Sequence, residues 1–124
     1  MKKLTILLVD DSDRDRKRVA DSLDHSCFEL VEAKTGREAL DKLDEIDGLA
    51  AIITDVVMPE MSGKELAENI RANKKYESLP IIVISGQDDV FSEVYELKNV
   101  WTIIKPVNPT MLNQFVKAKL LKTS

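Results

Sequence analysis

The sequence predicts an α/β fold built on a doubly wound, five-stranded parallel sheet with helices on both faces. Three observations lead there. Four nearly unbroken apolar runs of strand length, Leu4 to Val9, Leu49 to Ile53, Pro80 to Ile84 and Val100 to Ile104, suit strands covered on both sides. Charged segments with helical spacing lie between them, so that strand and helix alternate along the chain. The unusual polar residues then fall at the ends of the apolar runs, where open α/β sheets gather their functional groups.

The elements follow in order. Leu4 to Val9 forms the first strand, and Ser12 caps a helix with Val19, Ala20 and Leu23 as a narrow apolar stripe. The charges from Asp13 to Arg18 on that helix read as a solvated face. Phe28 to Ala33 mixes Glu29 and Glu32 among apolar residues, which suits an edge strand. Thr35-Gly-Arg-Glu38 and Ser62-Gly-Lys-Glu65 both fit a capping box. The first places Ala39, Leu40, Leu43 and Ile46 on one helical face, and the second places Leu66, Ala67 and Ile70 there. Residues 88–97 give only a thin stripe of Val90, Val94 and Leu97, the weakest of the helical patterns. Asn108-Pro109 opens a last helix with Leu112, Phe115, Val116 and Leu120 at core spacing.

At 124 residues the chain is the size of one domain, so residues 1–124 are expected to form a single domain without an appended output module. Composition is that of an ordinary globular protein, with 44% hydrophobic and 32% charged residues. A net charge of -4 with no basic block argues against direct binding to nucleic acid. The start, Met1-Lys2-Lys3 before an apolar run, imitates a signal peptide, but the run stops at Asp10-Asp11. No stretch approaches the ~18 apolar residues of a membrane span, so no membrane insertion is expected. Cys27 is the single cysteine, which excludes an internal disulfide and makes a reducing, cytoplasmic setting the simpler expectation. It reads as a small packing residue, and His25 as an exposed bystander in a turn.

Asp10 and Asp11 end the first strand, Asp55 the third, Ser85 the fourth and Lys105 the fifth. With strand order 2-1-3-4-5 the first and third strands are neighbours, and the three carboxylates converge in one crevice. Converging carboxylates repel, so they need a hard cation or a raised pKa. Mg²⁺ fits, with Mn²⁺ as a substitute, because it takes oxygen ligands and keeps waters that phosphate oxygens can replace. Such a site suits phosphoryl transfer to a carboxylate, with Lys105 and the Ser85 hydroxyl near the transferred group. Taken alone, Asp10-Asp11 would cap the first helix; together with Asp55 and Lys105 the pair reads as a metal site.

These residues resemble the receiver domain of two-component response regulators of the chemotaxis-regulator type. The resemblance rests on Leu-Leu-Val-Asp10-Asp11-Ser, on DVVMPEMSG from Asp55 to Gly63, on Ile-Ser85-Gly and on Lys105-Pro106, and it covers essentially the whole chain. It implies the flavodoxin-like fold and a phosphorylation-controlled switch rather than an enzyme with a separate substrate. Asp55 would be the phosphoacceptor, served by a sensor histidine kinase or a phosphotransfer protein. Asp11, Asp55 and the backbone carbonyl of Val57 would hold the metal directly, with Asp10 assisting through water. Lys105 would pair with the phosphoryl oxygens, and Ser85 would swing toward them to change the surface offered to a downstream protein. The Lys105-Pro106 bond is expected to be cis, and Pro59 and Gly63 would shape the loop after Asp55.

The sequence departs from the family pattern at Thr102, where Tyr or Phe usually stands and relays the switch. Trp101 is next to it, and strand alternation points the two side chains to opposite sides. Phe91, Tyr95 and Trp101 read as packing residues, with an aromatic partner surface as the alternative. A passive dimerisation or binding module with vestigial phosphorylation is the competing output. Asp11-Ser12-Asp13 also matches the D-x-D spacing of haloacid-dehalogenase-type phosphatases, but Asp15 stands where those carry Thr or Val. A flavin-binding module is disfavoured because an acidic first loop would repel the flavin phosphate.

Overall fold

The computed structural model describes residues 2–86 and 97–121. Strand β1 (Leu4–Val9) leads into helix α1 (Asp13–Ser22), followed by β2 (Phe28–Ala33), α2 (Gly36–Leu43), β3 (Leu49–Asp55) and α3 (Gly63–Ala72). A short 3₁₀ turn (Lys74–Tyr76) precedes β4 (Ile81–Ser85), and β5 (Val100–Ile104) and α4 (Pro109–Leu120) complete the order. All pairings are parallel, and the sheet order is β2-β1-β3-β4-β5. This is the predicted five-stranded flavodoxin-like arrangement. Of the weakest predicted helix, residues 88–96, with Phe91 and Tyr95, lie outside the described residues, and Leu97 packs against the first core.

The apolar runs are unbroken because alternate side chains feed two cores. Leu7, Val9, Ile52 and Val83 face α2 and α3, packing with Ala39, Leu43, Leu66, Ala67 and Ile70. Ile6, Leu8, Ile53, Ile82 and Ile84 face the other way, toward Leu23, Leu112 and Val116. Phe28 and Ala33 are the buried ends of β2, while Glu29 and Glu32 are exposed, as an edge strand requires. Trp101 falls in the second core as half-buried packing against Phe115, edge to face with ring centroids 6.5 Å apart.

The caps explain where the helices begin. Ser12, Ser62 and Asn108 each accept a backbone N–H of the first turn, and Pro109 occupies the first helical position. Of the two predicted capping boxes, the one at Ser62 and Glu65 is complete. At Thr35 the hydroxyl caps Glu38 N–H, but the Glu38 carboxylate accepts from Lys34 N–H one residue earlier, at 3.1 Å. The predicted second box is therefore half formed, because Lys34 N–H outcompetes Thr35 N–H for that carboxylate.

The solvated reading of α1 fails at one residue. Arg16 is the buried residue of that helix, 8% exposed, and its guanidinium meets Glu32 of β2 and Asp13, both at 2.6 Å. The aliphatic stem takes a core position while the head finds carboxylates at the rim. His25 is exposed, as expected, with Nε2 at 2.7 Å from the Ala20 carbonyl, and Cys27 is half-buried.

Candidate functional site: an acidic crevice at the carboxyl end of the sheet

Parallel strands with order β2-β1-β3-β4-β5 place the ends of β1 and β3 side by side, the point where the connections diverge to opposite faces. One carboxylate oxygen from each of Asp10, Asp11 and Asp55 lies within 4.8 Å of the other two. Asp10 and Asp55 are buried, and Asp11 is exposed at the mouth. The Lys105 ammonium reaches from the end of β5 to 3.2 Å from Asp55 Oδ1. The Lys105-Pro106 peptide is cis, as expected, and Lys105 N–H donates to the Ser85 carbonyl at 2.8 Å. Ser85 is buried, and its Oγ has no hydrogen-bond partner among the described residues.

Local structure fixes Asp55. Its Oδ1 accepts the Val56 N–H at 3.0 Å, and its carbonyl accepts the Thr54 hydroxyl at 2.9 Å. Gly63 N–H returns to the Val56 carbonyl at 2.7 Å, closing the loop that carries Val57, Met58 and Pro59. This closure requires glycine, since a Cβ at position 63 would stand 2.2 Å from the Asp55 carbonyl oxygen. Glu60, with φ of 68°, makes the left-handed bend within the loop. Met58 turns inward to the core, whereas Val57 is 59% exposed beside the crevice.

The electrostatics report crowded negative charge. Burial, with the charges of Asp55, Asp15 and Asp11 adding to it, pushes Asp10 up to about 6 against the pull of the Ser12 N–H. Burial likewise raises Asp55, outweighing the attraction and hydrogen bond of Lys105 and the Val56 N–H. Burial draws Lys105 down, but the charge and hydrogen bond of Asp55, with Asp10 and Asp15, leave it above its ordinary range. Both kinds of group therefore hold protons more tightly than usual. A site in that condition gains from any added positive charge.

Every predicted side chain, Asp10, Asp11, Asp55, Ser85 and Lys105, thus comes to the same end of the sheet. Sequence reasoning missed Arg16, whose Nη1 donates to the Asp10 carbonyl at 2.8 Å. A positive side chain four residues after a capping serine, with Glu32 on the adjacent strand, was the available signal.

The family model described as "Response regulator receiver domain" matches residues 6–117. The chain is similar to a "Chemotaxis protein CheY homolog" of Campylobacter jejuni, 36% identical over 115 residues, which cover 90% of this chain and 88% of that protein. It is similar to the "Chemotaxis protein CheY1" of Helicobacter pylori, 33% identical, covering 94% of this chain and 97% of the other. Among solved structures it is similar to the chemotaxis response regulator CheY4 of Vibrio cholerae, with a TM-score of 0.82 and 30% identity over 94% of this chain and 98% of that one.

Proposed function

The chain belongs to the response regulator receiver family of two-component signalling, and from that premise we propose that Asp55 is its phosphoacceptor. Residues 1–124 are read as one receiver domain, a switch that assists its own phosphorylation and has no separate substrate to turn over. The observation that carries the proposal is the meeting of Asp55 with Asp10, Asp11 and the Lys105 ammonium at one end of the sheet. An acid cluster with a raised Asp10, built only from oxygen donors, fits a hard divalent cation, Mg²⁺ or Mn²⁺. Asp11, Asp55 and the Val57 carbonyl would hold it, with Asp10 through water. When bound, the cation offsets charge on the equatorial phosphoryl oxygens.

The residues of the chain have distinct tasks. The Asp55 carboxylate attacks phosphorus as the bond from phosphorus to the donor's nitrogen breaks, leaving an acyl phosphate and a donor that takes up a proton. Lys105 gives up part of its contact with Asp55 to meet a phosphoryl oxygen, so its charge follows the developing anion. Ser85 supplies a buried hydroxyl that no other described residue engages, so it can donate to a phosphoryl oxygen. The donor is a sensor histidine kinase or a phosphotransfer protein, and the changed surface is offered to a downstream protein, in a cytoplasmic setting. No helix among the described residues is long and apolar enough to cross a membrane.

The test is treatment with acetyl phosphate and Mg²⁺, read by intact mass. One phosphoryl group is gained by the unmutated chain and none by Asp55→Asn. Equal gain in both, or none in either, rejects Asp55 as the acceptor.

A further inference from the structure

Resting on the metal-assisted reading of this site, we propose that Arg16 is a positioning residue for it, holding the Asp10-Asp11 peptide so that both carboxylates face Asp55. Arg16 uses all three guanidinium nitrogens on different targets. Nη1 donates to the Asp10 carbonyl at 2.8 Å, Nε to Glu32 at 2.6 Å and Nη2 to Asp13 at 2.6 Å. These acceptors belong to the end of β1, to β2 and to the first turn of α1, so one planar fork ties together the three segments that surround the acidic turn.

Asp10 is thereby held at both backbone polar groups and at one carboxylate oxygen. Its N–H donates to the Ala33 carbonyl of β2 at 3.1 Å, its Oδ1 accepts the Ser12 N–H at 2.9 Å, and its carbonyl accepts from Arg16. The carbonyl belongs to the peptide plane that precedes Asp11, and that plane sets the direction in which the Asp11 side chain leaves the backbone. Asp11 is exposed, so packing contributes little to its aim. Arg16 also does this without opposing a cation next door. Asp13 and Glu32 both lie against the guanidinium, with Lys34 3.7 Å from Asp13, so the local charge sums to zero.

An ion pair kept only for stability would have the same contacts, and the two roles part in the folded protein. The experiment titrates Mg²⁺ into the full chain and reads amide shifts by NMR, for the unmutated protein, Arg16→Lys, Arg16→Met and Asp13→Asn. Arg16→Lys keeps a charge beside Glu32 and Asp13 and so keeps the fold, but a single ammonium cannot reach all three acceptors. Both Arg16 variants are expected to bind Mg²⁺ about tenfold or more weakly, the usual cost of losing a group that orients a ligand. Their phosphorylation by acetyl phosphate should recover as Mg²⁺ is raised. Asp13→Asn leaves the Asp10 contact in place and, its carboxylate being exposed, should change affinity less than about twofold. Unchanged Mg²⁺ affinity in folded Arg16→Lys overturns the inference while leaving Asp55 as acceptor. Absence of Mg²⁺ binding and of phosphorylation in the unmutated chain overturns the underlying reading, and the inference with it.

Discussion

Asp55 ends β3 and Lys105 follows β5, strands that are not neighbours, yet their charged atoms stand 3.2 Å apart across the end of β4 at Ser85. The pair is unequal in exposure, with the lysine side chain 40% and the aspartate 10% accessible. A partly wet ammonium beside a buried carboxylate can transfer its contact to an arriving anion at small cost.

The first prediction concerns that transfer. Lys105→Met should leave the fold intact, since the lysine head is partly solvated, but slow phosphorylation of Asp55 by about a hundredfold, the scale of losing one preorganised charge partner. The rate with acetyl phosphate at saturating Mg²⁺ measures it. A change under threefold would show that Lys105 is a structural partner of Asp55 only.

Ser85 gives the opposite profile. Its hydroxyl is buried without a partner among the described residues, and a buried polar group left unsatisfied costs about 1–3 kcal/mol. Ser85→Ala should therefore leave the unphosphorylated protein as stable or up to about 1 kcal/mol more so. Phosphorylation is expected to stabilise the unmutated chain, and the same variant should lose that gain. Urea unfolding with and without the phosphoryl group reads both effects, and a destabilised, unphosphorylated Ser85→Ala would contradict the account.

Much of this site was legible in the sequence because backbone direction made it so. Asp10, Asp11, Asp55, Ser85 and Lys105 follow apolar runs, and parallel strands put all such ends on one edge. The strand bounds were readable for the same reason, Leu4–Val9 and Val100–Ile104 being bounded by polar residues. Arg16 was not legible, since a helical pattern of charges says nothing about which long side chain lies along the core and turns its head to carboxylates on another strand. The Thr35 box failed at a similar level, where two backbone donors one residue apart competed for Glu38. Tyr76 was also hidden. Its burial depends on a hydroxyl that reaches Asp44 at 2.8 Å across 32 residues.

Two glycines separate backbone from side-chain crowding. A Cβ at Gly63 would meet the Asp55 carbonyl oxygen at 2.2 Å, and the backbone of Asp55 cannot give way without moving the acidic site. A Cβ at Gly36 would meet the Met61 side chain, at 2.6 Å from Sδ, 2.9 Å from Cγ and 3.0 Å from Cβ, so a side chain and not backbone would have to shift. Gly63→Ala should cost more than about 3 kcal/mol and abolish phosphorylation, whereas Gly36→Ala should cost about 1–2 kcal/mol and retain it. Equal losses of stability in the two variants would refute the assignment of Gly63 to the loop closure.

The raised Asp10 carries the last prediction, and its sign runs against ordinary acid denaturation. Its value rises from 3.8 to about 6 on folding, so between those limits the folded chain binds more protons than the unfolded one. This contribution is fully present below about pH 4, falls as pH rises toward 6, and is absent above it. Asp10→Asn should accordingly be more stable than the unmutated chain at pH 7, by about 1–2 kcal/mol after allowance for solvent at the mouth, with the difference shrinking toward pH 4. Mg²⁺ competes with the same proton, so its apparent affinity should drop as pH falls through 6, and its stabilising effect should be largest at neutral pH. Denaturant unfolding at pH 4.5 and 7, each with and without Mg²⁺, tests both signs together. Asp10→Asn destabilising the metal-free protein at pH 7 would show that Asp10 is held as a favourable carboxylate, and the case for a charge-crowded site would fail with it.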